Sequence, residues 1–345
     1  MAASSLNHHI RVDTKIWRLC AEPFLFTPLV NSRVYYFPEG HGLHSGGEDV
    51  TPSLMTELHP SSHLCEIVTI DYLADAESEE FFLQLTLKPV VHIDHQEPIL
   101  EDGNIGVEGV VLKLLTPTDV NTELRLPTNG NDVFSDHVGN DGDSNTCVEV
   151  CVKDLRNTNW RFHHIHQQIN RRYVLSAGWR NFIKEKKLVV DDSVIFLKKS
   201  DRTIFVGIRR KSNIAAKTAS EKIKIKNDQI FDQIRVNSHN VMKVLTHIVN
   251  LEPFEVQFYP GFCDFLVDPN YIEASRQVVW FEGMRVTYRR KDQTSITGRI
   301  VQVYSQPNQP NDIRWGMLKM EWEDGRIGDP AAVSPWEVQV IPEDV

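Results

Sequence analysis

The sequence has no run approaching the ~18 consecutive apolar residues that a membrane-spanning helix needs, and Met1 to Val12 lack the basic start and apolar core of a secretory signal. Cysteine is scarce. The five present (Cys20, Cys65, Cys147, Cys151 and Cys263) are odd in number and thinly spread, which argues against a disulfide framework and fits a reducing cytosolic or nuclear compartment. There is no phosphate-cradling Walker loop, no dinucleotide glycine fingerprint and no nucleophile elbow. The adjacent acids Asp191 and Asp192 precede a strand and read as turn residues, not as a catalytic pair. No enzyme chemistry and no cofactor is expected. A zinc site is weighed because Cys147 and Cys151 precede His163, His164 and His166. Residues i and i+4 of one strand lie ~13 Å apart, too far to share one ion without a tight turn, and the histidine spacing does not fit a two-Cys, two-His finger. No metal is expected either.

What is present is an ordinary globular composition, 41% hydrophobic and 24% charged, in 345 residues, enough for two or three packed domains. The net charge of −10 argues at first against a polyanionic partner, but its distribution reverses the argument. From Cys147 to Lys211 fifteen lysines and arginines face six acids, a local +9, which leaves −19 for the remainder. A basic segment in an acidic frame points to a polyanion footprint, although a solvated basic face with no partner would give the same count.

Periodicity supplies the elements. Ser32 to Phe37 predicts a strand closed by a turn at Pro38-Glu39-Gly40; Cys65 to Tyr72 and Phe81 to Leu87 predict two strands joined by an acidic stretch. Val110 to Leu115 reads as a short buried strand, and Asn121 to Asn145, rich in Asn, Asp, Gly and Ser, as a long loop or partly disordered insert. In Cys147 to Lys153 the valines alternate with polar residues, a half-buried strand. Trp160 to His166, Arg171 to Leu175, and a hairpin of Ser193 to Lys198 with Thr203 to Ile208 follow, with Trp179, Phe182 and Ile183 at helical spacing between. Close-set strands with short helices suggest a small barrel. Ser212 to Asn227 reads as a linker, Val241 to Val249 as a helix, and Gly283 to Val340 as four or five short strands of an SH3-like barrel.

Within the basic segment, Gln167-Gln168-Ile169-Asn170-Arg171-Arg172 falls at a strand-to-strand turn. Gln and Asn can pair bidentately with adenine, and arginine with guanine, in a major groove. Of two adjacent arginines, one can read a base while the other holds phosphate. A polar surface hairpin is the plainer alternative.

Here the sequence resembles a known family. Trp160-Arg161-Phe162-His163-His164-Ile165, Arg171-Arg172, Gly178-Trp179, Lys187-Leu188, Asp192 to Leu197 and Val206-Gly207-Ile208-Arg209-Arg210 are similar to the B3 domain of plant auxin response factors. Ile16 to Ala21, Ser32 to His41 and Ala74 to Glu79 upstream, and Phe254-Glu255-Val256, Gly283-Met284-Arg285, Gly298-Arg299-Ile300 and Val333 to Glu337 downstream, resemble the same family in the same order. Leu115 to Asn121 resembles its microRNA-targeted, repressor-type subgroup.

The resemblance implies a mainly β chain with short helices (α+β): a B3 pseudo-barrel at 110–211, inserted in a dimerisation domain made of 13–108 and 228–280, then a Tudor/SH3-like barrel at 281–342. It implies a nuclear transcription factor of the auxin response that binds double-stranded DNA at TGTC-type elements, as a homodimer or as a heterodimer with other auxin response factors, with no membrane role. The DNA-binding residues carried over are Asn121, Thr122, Arg125, Gln167, Asn170, Arg171, Arg172 and Ser176. The contact positions depart from the family. Its turn Arg-Gly-x-Pro-Arg-Arg has Gln167 and Asn170 in place of the first arginine and the proline, and its glycine-rich arm has become Thr122-Glu123-Leu124-Arg125-Leu126. Lys243 aligns near a glycine of the dimer helix. The chain ends shortly after Val340, without the family's middle region and its Phox/Bem-type oligomerisation domain, so a truncated factor is expected, a competitor for promoter sites or a partner for other family members. Two further readings are an interaction module that works through dimerisation with weakened DNA binding, and a methyl-lysine cage of Tyr288, Trp315 and Trp322 in the last barrel.

Overall fold

The computed structural model describes residues 9–21, 28–44, 61–90, 105–127, 130–134, 147–167, 172–210, 238–259, 265–289, 294–304, 312–325 and 329–342. In chain order the elements are β1 (His9–Arg11), α1 (Thr14–Cys20), β2 (Arg33–Tyr36), α2 (Pro38–His44), β3 (His63–Asp75), β4 (Phe81–Pro89), β5 (Val107–Leu114), α3 (Pro117–Asn121), β6 (Leu124–Arg125), α4 (Asn131–Phe134), β7 (Cys147–Lys153), β8 (Asn159–Gln167) and β9 (Arg172–Leu175). There follow α5 (Trp179–Glu185), β10 (Ser193–Lys199), β11 (Ile204–Arg209), α6 (Ser238–Val249), β12 (Phe254–Phe258), β13 (Leu266–Val267), α7 (Pro269–Arg276), β14 (Arg285–Arg289), β15 (Ser295–Val303), β16 (Leu318–Trp322), β17 (Ala332–Val333) and β18 (Val338–Val340). The chain divides into two compact units, one of Met1–Pro23, Asp71–Gln84 and Glu101–Lys211, the other of Phe24–Ile70, Leu85–Leu100 and Ser212–Val345.

The first unit is built on a seven-stranded sheet of order β5-β10-β11-β7-β8-β9-β6, antiparallel except where β11 meets β7. The alternation read in β7 is observed: Val150 and Val152 are buried while Glu149, Cys151 and Lys153 are exposed. Trp179, Phe182 and Ile183 turn one face of α5 onto the core, where the Phe162 ring meets Trp179 at 5.9 Å and Phe182 at 5.7 Å, both edge to face. Gly178 caps α5 with φ of +87°, and a Cβ there would collide with the Arg161 carbonyl, so only glycine fits.

Helix α1 begins at Asp13, whose carboxylate accepts the Lys15 and Ile16 amides. It ends against β11, where a Cβ on Gly207 would stand 2.5 Å from Cys20 Sγ. Arg209 donates to the Cys20 carbonyl at 3.2 Å and the Ala21 carbonyl at 2.8 Å, satisfying acceptors at the helix end. Burial pushes the Cys20 thiol up to about 12, so the thiolate nucleophile does not form near neutrality.

Three expectations are corrected in this unit and the next. β5 is an edge strand, and its Val110, Leu112 and Leu114 are exposed (40%, 46% and 53%) while Val111 alone is fully buried. The stretch read as a long loop or partly disordered insert contributes, in its described residues, β6 and the turn of helix α4, and buries Val133 and Phe134, two apolar side chains hidden among polar neighbours. Pro38 opens helix α2 instead of a turn, because its fixed φ and missing N–H suit the first helical position.

In the second unit, β2 pairs antiparallel with β3 and with β13. The Tyr36 hydroxyl hydrogen-bonds His41 Nδ1 at 2.7 Å, and the His41 ring stacks on Phe265 at 4.4 Å. The last five strands form a separate sheet of order β17-β16-β15-β14-β18. Trp315 belongs to a cluster with Phe37 and Trp336 and packs on Gly40, whereas Tyr288 pairs with Trp322, whose indole N–H is taken by the Pro330 carbonyl. The cage reading thus divides its three aromatics between two environments.

Candidate nucleic-acid interface

The β9–β6 edge of the seven-stranded sheet brings together the two chain segments singled out in the sequence. β8 and β9 pair down to Gln167↔Arg172, so residues 168–171 connect them. β6 adds itself to β9 with Leu124 opposite Leu175 and Arg125 opposite Val174, and the Leu126 amide donates to the Tyr173 carbonyl at 3.0 Å. Arg125 therefore stands in register two residues from Arg172, and both are exposed. Behind them a ladder of rings props the hairpin: Tyr173 stacks on His166 at 4.5 Å and on His164 at 5.5 Å, and buried His164 lies 5.3 Å from Phe134.

The other candidate residues fare differently. Asn121 and Thr122 are exposed, but their side chains donate to the Pro117 and Thr118 carbonyls, closing the end of α3. Ser176 is spent on the His163 carbonyl, which its amide reaches at 2.9 Å and its hydroxyl at 3.4 Å. Gln167 closes the β8–β9 ladder through its backbone, and its side chain lies outside the described residues, as do Asn170 and Arg171.

Sequence reading missed the residue that organises this edge. Asp119 is fully buried. Its Oδ2 accepts the Thr116 amide at 2.9 Å and the Thr116 hydroxyl at 2.6 Å and pairs with Lys113 Nζ at 3.1 Å; its Oδ1 accepts the Arg125 amide at 3.0 Å. Burial alone would raise this carboxyl, but the hydrogen bonds from Thr116, Arg125 and Lys113 outweigh it and leave the pKa below the ordinary value. The signal was available: Thr116-Pro117-Thr118-Asp119 has the spacing of a capping box with proline at the first helical position.

Not all of the segment's positive charge faces outward. Buried Lys186 pairs with Glu79 and, at 2.6 Å, with Asp154, and lies 5.5 Å from the Trp160 ring. Arg156 reaches Glu79 at 3.2 Å, and Arg210 reaches Asp192 at 3.3 Å and the Lys186 carbonyl at 2.6 Å. With Arg209 on the α1 end, at least four of the segment's cations are held by acids or carbonyls among the described residues. Burial raises the Asp154 carboxyl, but hydrogen bonds from Lys186, Trp160 and the Thr158 amide leave it net lowered. Glu79 sits in the turn between β3 and β4, which Asp75 shapes by accepting the Glu77 and Ser78 amides. The acidic stretch read as the joint between two strands is thus also a docking point within this unit.

Residues 111–212 match the family model described as the B3 DNA binding domain. The chain is 29% identical over 379 residues to Auxin response factor 17 of Arabidopsis thaliana, covering 98% of this chain and 63% of that protein. It is 29% identical over 360 residues to Auxin response factor 1 of the same plant, covering 95% and 50%. Among solved structures, the Arabidopsis FUS3-DNA complex is similar at 18% identity over 29% of this chain and 94% of that one, with a TM-score of 0.25. The chain spans between half and 63% of the length of these two curated relatives. It carries a B3 domain within a sequence that is auxin-response-factor-like over nearly its whole length.

Proposed function

We propose that this chain is the DNA-binding portion of a nuclear transcription regulator of the auxin response, and that it takes double-stranded DNA on the β9–β6 edge. The observation that carries the reading is the convergence of exposed Arg125 and Arg172 from two segments onto one sheet end, inside the stretch that matches the B3 family. Arginine can serve there either as a bidentate guanine reader or as a phosphate clamp. Arg171, Gln167 and Asn170 belong to the same proposed contact surface, with Arg171 next to Arg172 in sequence. Asn121, Thr122 and Ser176 contribute as supports of the arms. The half-buried Glu123 beside Arg125 opposes phosphate by roughly a kcal/mol at moderate effective dielectric, and one of the family's arginines is Gln167. The preference for TGTC is therefore kept but weakened. In this reading 13–108 with 228–280 forms a dimerisation domain around the B3 domain at 110–211, and 281–342 is the Tudor-like barrel.

The test is a gel shift with paired TGTC sites and a scrambled duplex across a salt series. Preferential, salt-steep binding, weaker than nanomolar at physiological salt, supports the proposal. Equal binding to both duplexes sinks it, and nanomolar selection of TGTC sites contradicts the weakened preference.

A second reading, an interaction module acting through dimerisation with other auxin response factors, is favoured by α6. Met242, Lys243, Thr246 and Val249 are exposed at helical spacing, two of them large hydrophobics (Met242 49%, Val249 62%). Sedimentation showing a dimer at low micromolar concentration that Val249→Asp dissociates supports it; a monomer at that concentration opposes it.

A further inference from the structure

We infer that Asp119 is the positioning residue of the DNA-facing edge, holding Arg125 against β9 without touching DNA itself. The inference rests on the proposed DNA-binding reading and names what makes that edge a rigid surface.

β6 is two residues long, and so short an edge strand has too few ladder bonds to hold its own register. The Asp119 carboxylate supplies what the ladder lacks. One oxygen fixes the start of α3 through both donors of Thr116 and ties it to Lys113 near the end of β5; the other accepts the Arg125 amide six residues on. The same residue's carbonyl accepts the indole N–H of Trp179 at 2.7 Å, anchoring the arrangement in the barrel core. The carboxylate thus meets donors from β5, the cap of α3 and β6, and those on one of its two oxygens would be left without this acceptor if the charge and second oxygen were lost. Asparagine at this position keeps one acceptor but turns an NH2 toward groups that are themselves donors. The arm from Thr122 to Leu126 would then leave β9, carrying Arg125 away from Arg172.

The experiment compares the full chain, Asp119→Asn and a core variant of the same barrel, Phe182→Leu, which loosens the packing behind Trp179 and lowers thermal stability but leaves the carboxylate of Asp119 and its donors in place. Each is titrated with the paired TGTC duplex and with a scrambled duplex of equal length, well below the unfolding temperature, and amide hydrogen exchange is followed at Arg125, Leu126 and Ile195. The expected result for D119N is about a tenfold or greater loss of affinity for the TGTC duplex, the size of one lost bidentate contact. Binding to the scrambled duplex should change less than about twofold, since non-specific binding rests on phosphate charge alone. Exchange should speed up at Arg125 and Leu126 but not at Ile195, and F182L should keep the wild-type preference. Wild-type preference retained in D119N, or lost equally in F182L, overturns the positioning role. A wild-type chain that binds both duplexes alike overturns the DNA reading beneath it.

Discussion

Two regions of the first unit use the same residue types in opposite ways. Around Lys186 the cations are paired: Lys186 itself is buried between Glu79 and Asp154, Arg156 and Arg210 reach acids and carbonyls beside it, and Arg209 is held separately at the end of α1, with Arg156 still 45% accessible. Along the β9–β6 edge Arg125 and Arg172 stand exposed, and the acid nearby, Asp119, holds a backbone amide in place of a guanidinium. Net charge along a sequence does not distinguish the two. The difference lies in whether an acid from a distant segment, such as Glu79 for Lys186, meets the cation in the fold. Inward cations should therefore govern stability and outward ones binding, and mutation should separate the two cleanly.

The largest expected effect is at the inward cluster. Lys186→Met leaves Glu79 and Asp154 facing each other in a buried site, and breaking a buried pair from one side costs about 3–5 kcal/mol. Denaturant unfolding should read this as a lowered midpoint; an unchanged midpoint would show the cluster to be solvated and the contrast false.

Next is Gly178, at the joint between the two regions, where β9 gives way to α5. Gly178→Ala must adopt a positive φ, costing roughly 1–2 kcal/mol, and must also push away the Arg161 carbonyl, so the loss should exceed that figure in the same measurement. A smaller loss would mean that the hairpin yields at little cost.

A third prediction concerns acid. The Asp119 and Asp154 carboxyls are held below their ordinary pKa in the folded chain. Their contribution to stability is therefore complete above the unfolded value of about 3.9 and lost as pH falls through the lower folded values. Thermal midpoints should drop below about pH 4, and less steeply in Asp154→Asn. Identical profiles for the two chains would remove Asp154 from the account.

The smallest effect is expected at the exposed pair Arg161–Glu149, 3.4 Å apart with side chains 74% and 54% accessible. Arg161→Ala should change stability by no more than about 0.5 kcal/mol. A loss comparable with that of Lys186→Met would erase the distinction between the regions.

How much of this could be read from the sequence follows from the range of the interaction. The alternating valines of β7, the helical spacing of Trp179, Phe182 and Ile183, and the β10–β11 hairpin are local patterns, and all three were legible. So was Arg172 at the start of β9. Pro38 was misread because proline signals both a turn and a helix start, and only the succeeding contacts decide. Val110, Leu112 and Leu114 were misread because an apolar run does not say whether a further strand covers it. The buried cluster was invisible for a plainer reason: Lys186 and Glu79 are 107 residues apart. Asp119 lay between these cases. Its helix cap is local and could have been found, but its bond to Arg125 depends on a six-residue excursion that periodicity does not encode.

The central claim, that the β9–β6 edge is the face that meets DNA, is tested most directly by the salt dependence of binding for the wild-type chain and for Arg125→Ala/Arg172→Ala. If both guanidiniums lie on phosphates, the slope of log affinity against log salt should become shallower by about 1.8. If one reads a base, the slope should change by about half of that and the preference for TGTC over scrambled DNA should fall at least about tenfold. Thermal stability should stay that of the wild type. A double variant with unchanged slope and unchanged preference would contradict the account.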